Sequence, residues 1–133
     1  MFSRIMVPVD LTHLEQLDKA RTVSEELAQS FGAEIVYVSV TAETPTKIAH
    51  NPKEFAQKLE AFAAGRPGKS TTKSYSAHDP AIDIDKTLLK AIDETGADLV
   101  VMASHKPGIA DFFWGSHGAS LAAHTGVSVF VVR

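Results

Sequence analysis

The chain has 133 residues, a formal net charge of −3 and no cysteine. This length fits one domain with a sizeable core, so residues 1–133 are treated as a single domain. The absence of a basic excess argues against a nucleic-acid partner, and the absence of cysteine excludes disulfides and thiolate metal sites. No apolar run is long enough to span a membrane, and the expected location is the cytoplasm.

The chain begins with a short apolar run followed by an amphipathic segment. Residues 5–9 predict a buried strand that ends just before Asp10, with Pro8 placed near its end because proline donates no ladder hydrogen bond. Thr12 and Glu15 have the spacing of a capping box, which predicts a helix that starts at Thr12 and stops at Gly32.

The same alternation of apolar runs and amphipathic segments continues to the last residue. Proline after an Asn or Asp cap marks two of the predicted helix starts. The predicted elements are a strand at 34–40, a polar loop at 41–50, a helix from Asn51-Pro52 to about 65, a polar edge strand at 71–77, a helix from Asp79-Pro80 to 96, a strand at 99–103, a short helix from Ser116 to about His124, and a strand at 127–132.

Five predicted strands alternate with four predicted helices, which is typical of an α/β fold with a parallel sheet covered on both faces. The expected architecture is a flavodoxin-like or Rossmann-like three-layer sandwich. Right-handed crossovers favour the strand orders 2-1-3-4-5 and 3-2-1-4-5, and the polar third strand favours the latter, where it lies at an edge. Strands one and four are then neighbours, and ligands bind at such a switch point.

The segment from Leu99 to Ser116 predicts an anion-binding turn at this switch point. It passes from an apolar strand through a polar loop to Gly115-Ser116, where the last helix begins. Backbone N–H groups and the dipole at a helix start favour an anion, so we expect the phosphates of a nucleotide there, with Lys106 as a nearby cation. The alternative is an ordinary helix cap beside a solvated loop, since no P-loop motif is present.

The remaining polar candidates are Asp10, the pair Asp83 and Asp85, Ser116 and the histidines. Asp10 follows a strand directly, so it could accept hydrogen bonds from ribose or adenine, or help to cap the next helix. Asp83 and Asp85 are expected on the solvated side of their helix. Ser116 lacks the G-x-S-x-G context of a nucleophile, and no catalytic residue is assigned. The six histidines show no ligand spacing, so no protein metal site is expected.

The sequence resembles the universal stress protein family over essentially its whole length. The matching pieces are I-M-V-P-V-D at 5–10, A-D-L-V-V-M-A-S-H at 97–105, G-S at 115–116 and the terminal V-S-V-F-V-V-R. The run A-S-H-K-P followed by G-S is similar to the short F/G-type branch, which is implicated in nucleotide binding. The family's glycine motif is altered, because Ala103 and Lys106 occupy its first two glycine positions and Gly115 arrives one residue early.

This resemblance implies a regulatory protein of the stress response that binds ATP or AMP in the crevice, with little or no hydrolysis. Any Mg²⁺ or Mn²⁺ would be carried by the phosphates. The implied contacts follow the crevice from the adenine to the phosphates. They are Pro8, Val9 and Asp10 at the ribose and adenine, the backbone of Val40 after strand two at the adenine, Ala103, Ser104, His105 and Lys106 at the ribose and phosphates, and Gly115, Ser116 and His117 at the phosphates.

The resemblance also implies a homodimer through the strand at 127–132 and an unidentified protein partner. The alternative is a nucleotide-free dimeric interaction module, which Ala103 and Lys106 favour. A phosphoacceptor or flavin protein on the same fold fits less well, because Asp10 stands alone and only the aromatic run 112–114 suggests a flavin site. If the glycine that Ala103 replaces needs positive φ, the alanine adds strain.

Overall fold

The computed structural model describes residues 1–45, 48–104 and 117–133, apart from the side chain of Ala81. All strand pairs in the sheet are parallel, and the order is β3-β2-β1-β4-β5. This confirms the predicted α/β class and strand order. The elements are β1 Arg4–Pro8, α1 Leu14–Phe31, β2 Glu34–Ala42, α2 Pro52–Ala64, β3 Ser70–Ala77, α3 Pro80–Thr95, β4 Leu99–Ala103, α4 His117–His124 and β5 Ser128–Val132.

The sheet separates two apolar cores, one on each face. Alternate residues of a strand point to opposite faces, so Ile5 and Val7 of β1 enter the core under α1 and α2. Met6, which lies between them, enters the core under α3 and α4. All three side chains are fully buried. The arrangement is the expected three-layer sandwich.

The predicted capping box at the start of α1 is wrong. The helix begins at Leu14, and the residue before it, His13, makes no side-chain cap hydrogen bond. The Thr12 hydroxyl donates to Oδ1 of Asp10 over 2.5 Å. An ionised carboxylate is a stronger acceptor than a neutral group, so Asp10 engages the hydroxyl that a capping box would have placed on the amide of Glu15.

Two other element boundaries test the sequence predictions. The start of α2 is confirmed, because Oδ1 of Asn51 accepts from the backbone N–H of Glu54 over 2.9 Å. The end of β2 was predicted two residues too early. Pairing with β3 continues to Ala42 opposite Ala77, so the edge strand extends β2 into the predicted loop.

The amino-terminal end of the sheet is held by Asp98, which precedes β4. Its carboxylate accepts from the backbone N–H groups of Ser3 (2.8 Å) and Arg4 (3.0 Å). Desolvation opposes the charge, but the two backbone hydrogen bonds outweigh it and lower the pKa of Asp98. The guanidinium of Arg4 in turn donates to the carbonyl of Thr95 and to Glu34. These bonds join the ends of β1, β2 and α3.

The two helix-ending glycines Gly32 and Gly65 provide a matched test of backbone strain. Gly32 has φ 65° and Gly65 has φ −86°, and a Cβ at either position meets nothing within 4 Å. We therefore expect Gly32→Ala to lower the free energy of unfolding by about 1 kcal/mol, because alanine is strained at positive φ. Gly65→Ala is the control and should be neutral or slightly stabilising. Urea denaturation measures both, and equal effects would contradict the interpretation.

Candidate functional site

Strand β1 is hydrogen-bonded unevenly on its two sides. Toward β2, pairing runs through Pro8, and Val9 adds a bond from its N–H to the carbonyl of Val38 over 2.7 Å. Toward β4, pairing stops after Met6 opposite Val100. Because Val9 faces β2, the preceding residue Pro8 faces β4, where proline has no N–H to donate. Hydrogen-bonded pairing between β1 and β4 therefore ends before that between β1 and β2, as expected where Pro8 has no N–H to donate.

The strand registers place three of the predicted site residues at the same height along the strand direction. Continuing the β1–β2 register past Pro8 sets Asp10 level with Val40. Continuing the β1–β4 register past Met6 sets Asp10 level with Ser104. The ends of β2, β1 and β4 thus present these residues along one edge of the sheet, at the point where the strand order reverses.

The backbone of Val40 is directed toward the end of β1. The carbonyl of Val38 faces β1, and residues two apart in a strand face the same way, so Val40 faces that side beyond the last β1 pair. The carbonyl of Val9 accepts from the hydroxyl of buried Ser39 over 2.6 Å. Val40 lies within β2 rather than after it, which corrects the predicted boundary.

The Asp10 carboxylate is held by the turn that precedes α1. Oδ1 accepts from the backbone N–H of Thr12 (2.9 Å) and from its hydroxyl (2.5 Å), and Oδ2 lies 3.0 Å from Nδ1 of His13. The side chain is 9% exposed. These contacts match the expected alternative role of Asp10 in shaping the helix start. A carboxylate offers about four acceptor positions, so the contacts leave capacity on Oδ2 for a further donor.

Ala103 ends β4 and Ser104 continues its direction. The N–H of Ser104 donates to the carbonyl of Val132 in β5 over 2.6 Å. Among residues 1–45, 48–104 and 117–133, no residue other than glycine has positive φ. The strain expected for alanine at position 103 is therefore absent, because Ala103 has the extended backbone of a strand residue.

The first residue of α4 is tied to α3. Nδ1 of His117 lies 2.5 Å from Oδ1 of Asp85, and the hydroxyl of Ser120 donates to Oδ2 of Asp85 over 2.8 Å. The Asp85 side chain is 36% exposed, as the sequence predicted for the solvated side, but the sequence did not predict that it joins two helices. The one indication of this contact in the sequence is the three-residue spacing of His117 and Ser120, which puts both side chains on one face of a helix.

Several predicted residues lie outside the residues that the structure describes. They are His105, Lys106, Gly115, Ser116 and the aromatic run 112–114. Within the described ranges, no three metal-ligating side chains are grouped closely enough to hold a metal ion. Over the same ranges, no helix is both long and apolar enough to cross a membrane.

A groove of about 620 Å³ lies at the opposite end of the sheet. The second half of α1 lines one side, including Glu25 and Gln29, and Pro67 to Lys69 line the other, with Ile35 at the base. None of the predicted site residues lines it. The groove therefore lies away from the carboxyl ends of β1 and β4, where the sequence predicted the site.

The comparisons with known proteins agree with this architecture. A model described as the universal stress protein family matches residues 1–133. Universal stress protein G of Shigella flexneri is 28% identical over 144 aligned residues, which cover 100% of both chains.

Solved structures share the fold at low sequence identity. The universal stress protein from Archaeoglobus fulgidus in complex with dAMP is 12% identical, with a TM-score of 0.66 over 98% of each chain. A universal stress protein in complex with cAMP is 16% identical, with a TM-score of 0.62 over 99% of this chain and 97% of that one. The likeness confirms the three-layer α/β fold.

The hydroxyl of Ser39 donates a buried hydrogen bond to the carbonyl of Val9, just beyond the end of β1. Ser39→Ala removes the donor and leaves the Val9 carbonyl without it, so we expect the free energy of unfolding to fall by about 1–2 kcal/mol. Ser76→Ala, an exposed serine of the edge strand, is the control and should change it by less than about 0.5 kcal/mol. Chemical denaturation measures both variants. A Ser39→Ala protein as stable as the control would show that this bond does not hold the end of β1.

Proposed function

The chain belongs to the universal stress protein family, and on that premise we propose that it binds an adenine nucleotide between the carboxyl ends of β1 and β4. The supporting observation is the common level of Asp10, Val40 and Ser104 along the sheet edge where the strand order reverses. In this proposal the chain is a regulatory protein of the stress response, whose nucleotide occupancy biases a surface that a protein partner recognises.

The adenosine half of the ligand is assigned to the first two strands. Asp10 accepts from the ribose or adenine through the remaining capacity of its carboxylate, with the backbone of Pro8 and Val9 beside it. The N–H and carbonyl of Val40, directed past the end of β1, meet the adenine edge. The solved relatives with dAMP and with cAMP hold ligands that contain adenosine chemistry, which supports an AMP-type ligand for this chain.

The phosphate half is assigned to the segment after β4 and the start of α4. Ala103 and Ser104 lie at the ribose and phosphates, together with His105 and Lys106, and Gly115, Ser116 and His117 take the phosphates. The nucleotide is ATP or AMP, and a Mg²⁺ or Mn²⁺ ion would be bound through its phosphates. Little or no hydrolysis is expected, since the assigned residues include no arginine to stabilise transferred charge. The absence of cysteine fits a cytoplasmic location.

A second candidate is a nucleotide-free interaction module. The observation that favours it is the Asp10 carboxylate, whose two oxygens already contact Thr12 and His13. Ala103 and Lys106, which stand at two glycine positions of the family motif, also favour a nucleotide-free module. A melting temperature that is unchanged by ATP would support this candidate, because a ligand that binds only the folded state must raise it.

To test nucleotide binding, the purified protein is first denatured, and any adenylates that it releases are identified. Calorimetry on the emptied, refolded protein should then detect ATP binding with magnesium, and Asp10→Asn should weaken it by about tenfold through the loss of a charged acceptor. Thr12→Ala is the control, because it removes the hydroxyl bond to Asp10 but keeps the backbone N–H bond and the carboxylate. The absence of binding at millimolar ATP would reject the proposal.

The proposed homodimer forms through β5, the edge strand opposite β3. Phe130 and Val131 are 46% and 39% exposed there, and an exposed apolar edge favours pairing with a second copy. We expect light scattering after gel filtration to give a dimer mass, and Phe130→Glu to give a monomer. Ile82→Glu, at a 78% exposed apolar residue of α3, should stay dimeric. A monomeric wild-type protein would contradict this part of the proposal.

A further inference from the structure

The backbone of β5 alternates between facing β4 and facing the open edge of the sheet. The N–H of Ser104 donates to the carbonyl of Val132, so Val132 faces β4. Residues two apart in a strand face the same way, so Phe130 also faces β4, whereas Val129 and Val131 face outward. β5 is the last strand in the order, so in the described part of the chain no strand pairs with that side. The N–H and carbonyl groups of Val129 and Val131 are therefore placed to pair with a further strand.

The composition of β5 does not protect this edge. Native edge strands are usually blocked by charged side chains, proline or a bulge. The sequence of β5, S-V-F-V-V, contains neither charge nor proline, and its register with β4 is continuous from Ser128 to Val132. The opposite edge strand, β3, is polar and carries Lys73. Of the two edges, β5 is thus the one suited to pairing with an apolar strand such as its own copy.

A two-fold axis restricts how β5 pairs with itself. The strands are antiparallel, because in a parallel pair directly opposite residues cannot both face each other, as an axis along the strands would require. In an antiparallel pair, a hydrogen-bonded position needs residues that both face the partner strand. Within β5 only Val129 and Val131 face outward, so three registers are possible. They place Val129 opposite Val129, Val129 opposite Val131, or Val131 opposite Val131.

Hydrogen-bonding capacity favours the register with Val129 opposite Val131. The two-fold axis repeats that pair, so all outward groups of both residues are used, whereas the other registers leave either Val129 or Val131 without a partner in β5. Extending those registers would require Val127 or Arg133.

Both of these flanking residues already have partners. The N–H of Val127 lies 3.3 Å from the hydroxyl of Thr125, to which it donates. The backbone oxygen of Arg133 accepts from Nζ of Lys19 over 2.5 Å. The alternative registers would have to share or break these bonds, whereas the register with Val129 opposite Val131 leaves them intact.

We propose that two copies of this chain pair β5 antiparallel with Phe130 on the two-fold axis. The inference rests on the proposed homodimer and adds its register. Phe130 then opposes Phe130 of the second copy in a non-hydrogen-bonded pair, where the Cα atoms are about 4.5 Å apart. Both rings lie on the α1 and α2 face of the joined sheet, because Val132, two residues on, enters the core on that face. Aromatic pairs at such positions stabilise a sheet.

The register also places the two proposed nucleotide sites. The sheet continues from one copy into the next, and the strands of the two copies run in opposite directions. The carboxyl ends of β1 and β4 therefore lie at opposite edges of the joined sheet. Neither proposed site is part of the interface.

The experiment uses single introduced cysteines, because the chain has none of its own. Phe130→Cys, Val129→Cys and Val131→Cys are each oxidised and analysed on a non-reducing gel. A disulfide requires Cα atoms within about 7 Å of each other. Phe130→Cys should give about tenfold more linked dimer than Ile82→Cys, a collision control at a 78% exposed residue of α3.

The two valine variants should each remain at the level of the control when oxidised alone. In the proposed register, identical valines of the two copies are offset by two positions, so their Cα atoms are about 8–9 Å apart. Val129→Cys and Val131→Cys should link when they are unfolded and refolded together, because Val129 then opposes Val131 at about 5.5 Å. This mixture keeps Phe130, so linking in it supports the register even where Phe130→Cys weakens the dimer.

The outcomes separate the register from the homodimer. If Val129→Cys or Val131→Cys links strongly alone, the axis passes through that residue, and the proposed register is overturned while the homodimer stands. If the wild-type protein is a dimer but no variant or mixture exceeds Ile82→Cys, β5 is not the interface and the inference is overturned. A monomeric wild-type protein overturns both the inference and the proposed homodimer.

Discussion

The unequal hydrogen bonding of β1 is the constraint on which the functional edge depends. A central strand of a parallel sheet is normally paired on both sides, yet here one side continues to Val9 and the other ends at Met6. Pro8 explains the difference, because it faces β4 without an N–H group. Hydrogen-bonded pairing therefore continues further between β1 and β2 than between β1 and β4, where the order of the strands reverses.

Among the described residues, hydrogen bonds hold several polar groups near the carboxyl ends of β1 and β4. Ser39 holds the carbonyl that ends β1, and the turn before α1 holds the Asp10 carboxylate. On the opposite face, Asp85 holds the start of α4. In the proposed site, such contacts would keep polar groups in place before a ligand arrives, which lowers the entropic cost of binding. None of the predicted site residues lines the groove that contains Glu25 and Lys69.

The fold was predictable because its signals are local and repeated. Apolar runs, proline after a cap residue and the polarity of residues 71–77 were enough for the strand order. The failures arose from tertiary contacts. Asp10 accepts the hydrogen bond of the Thr12 hydroxyl that a capping box would have used, pairing with β3 lengthens β2, and Asp85 contacts two residues of α4. Local spacing does not contain these partners, so the sequence could name candidate residues but not the contacts that hold them.

The most direct test of the account is an amide NMR titration of the protein with ATP and magnesium. The account predicts that the largest shifts fall at Asp10, Val40 and Ser104, which stand at one level of the sheet edge. The amides of Gly32 and Gly68, in the separate groove, should stay unchanged. Shifts concentrated at the groove, or no shifts at saturating ATP, would contradict the claim that the carboxyl ends of β1 and β4 form a nucleotide site.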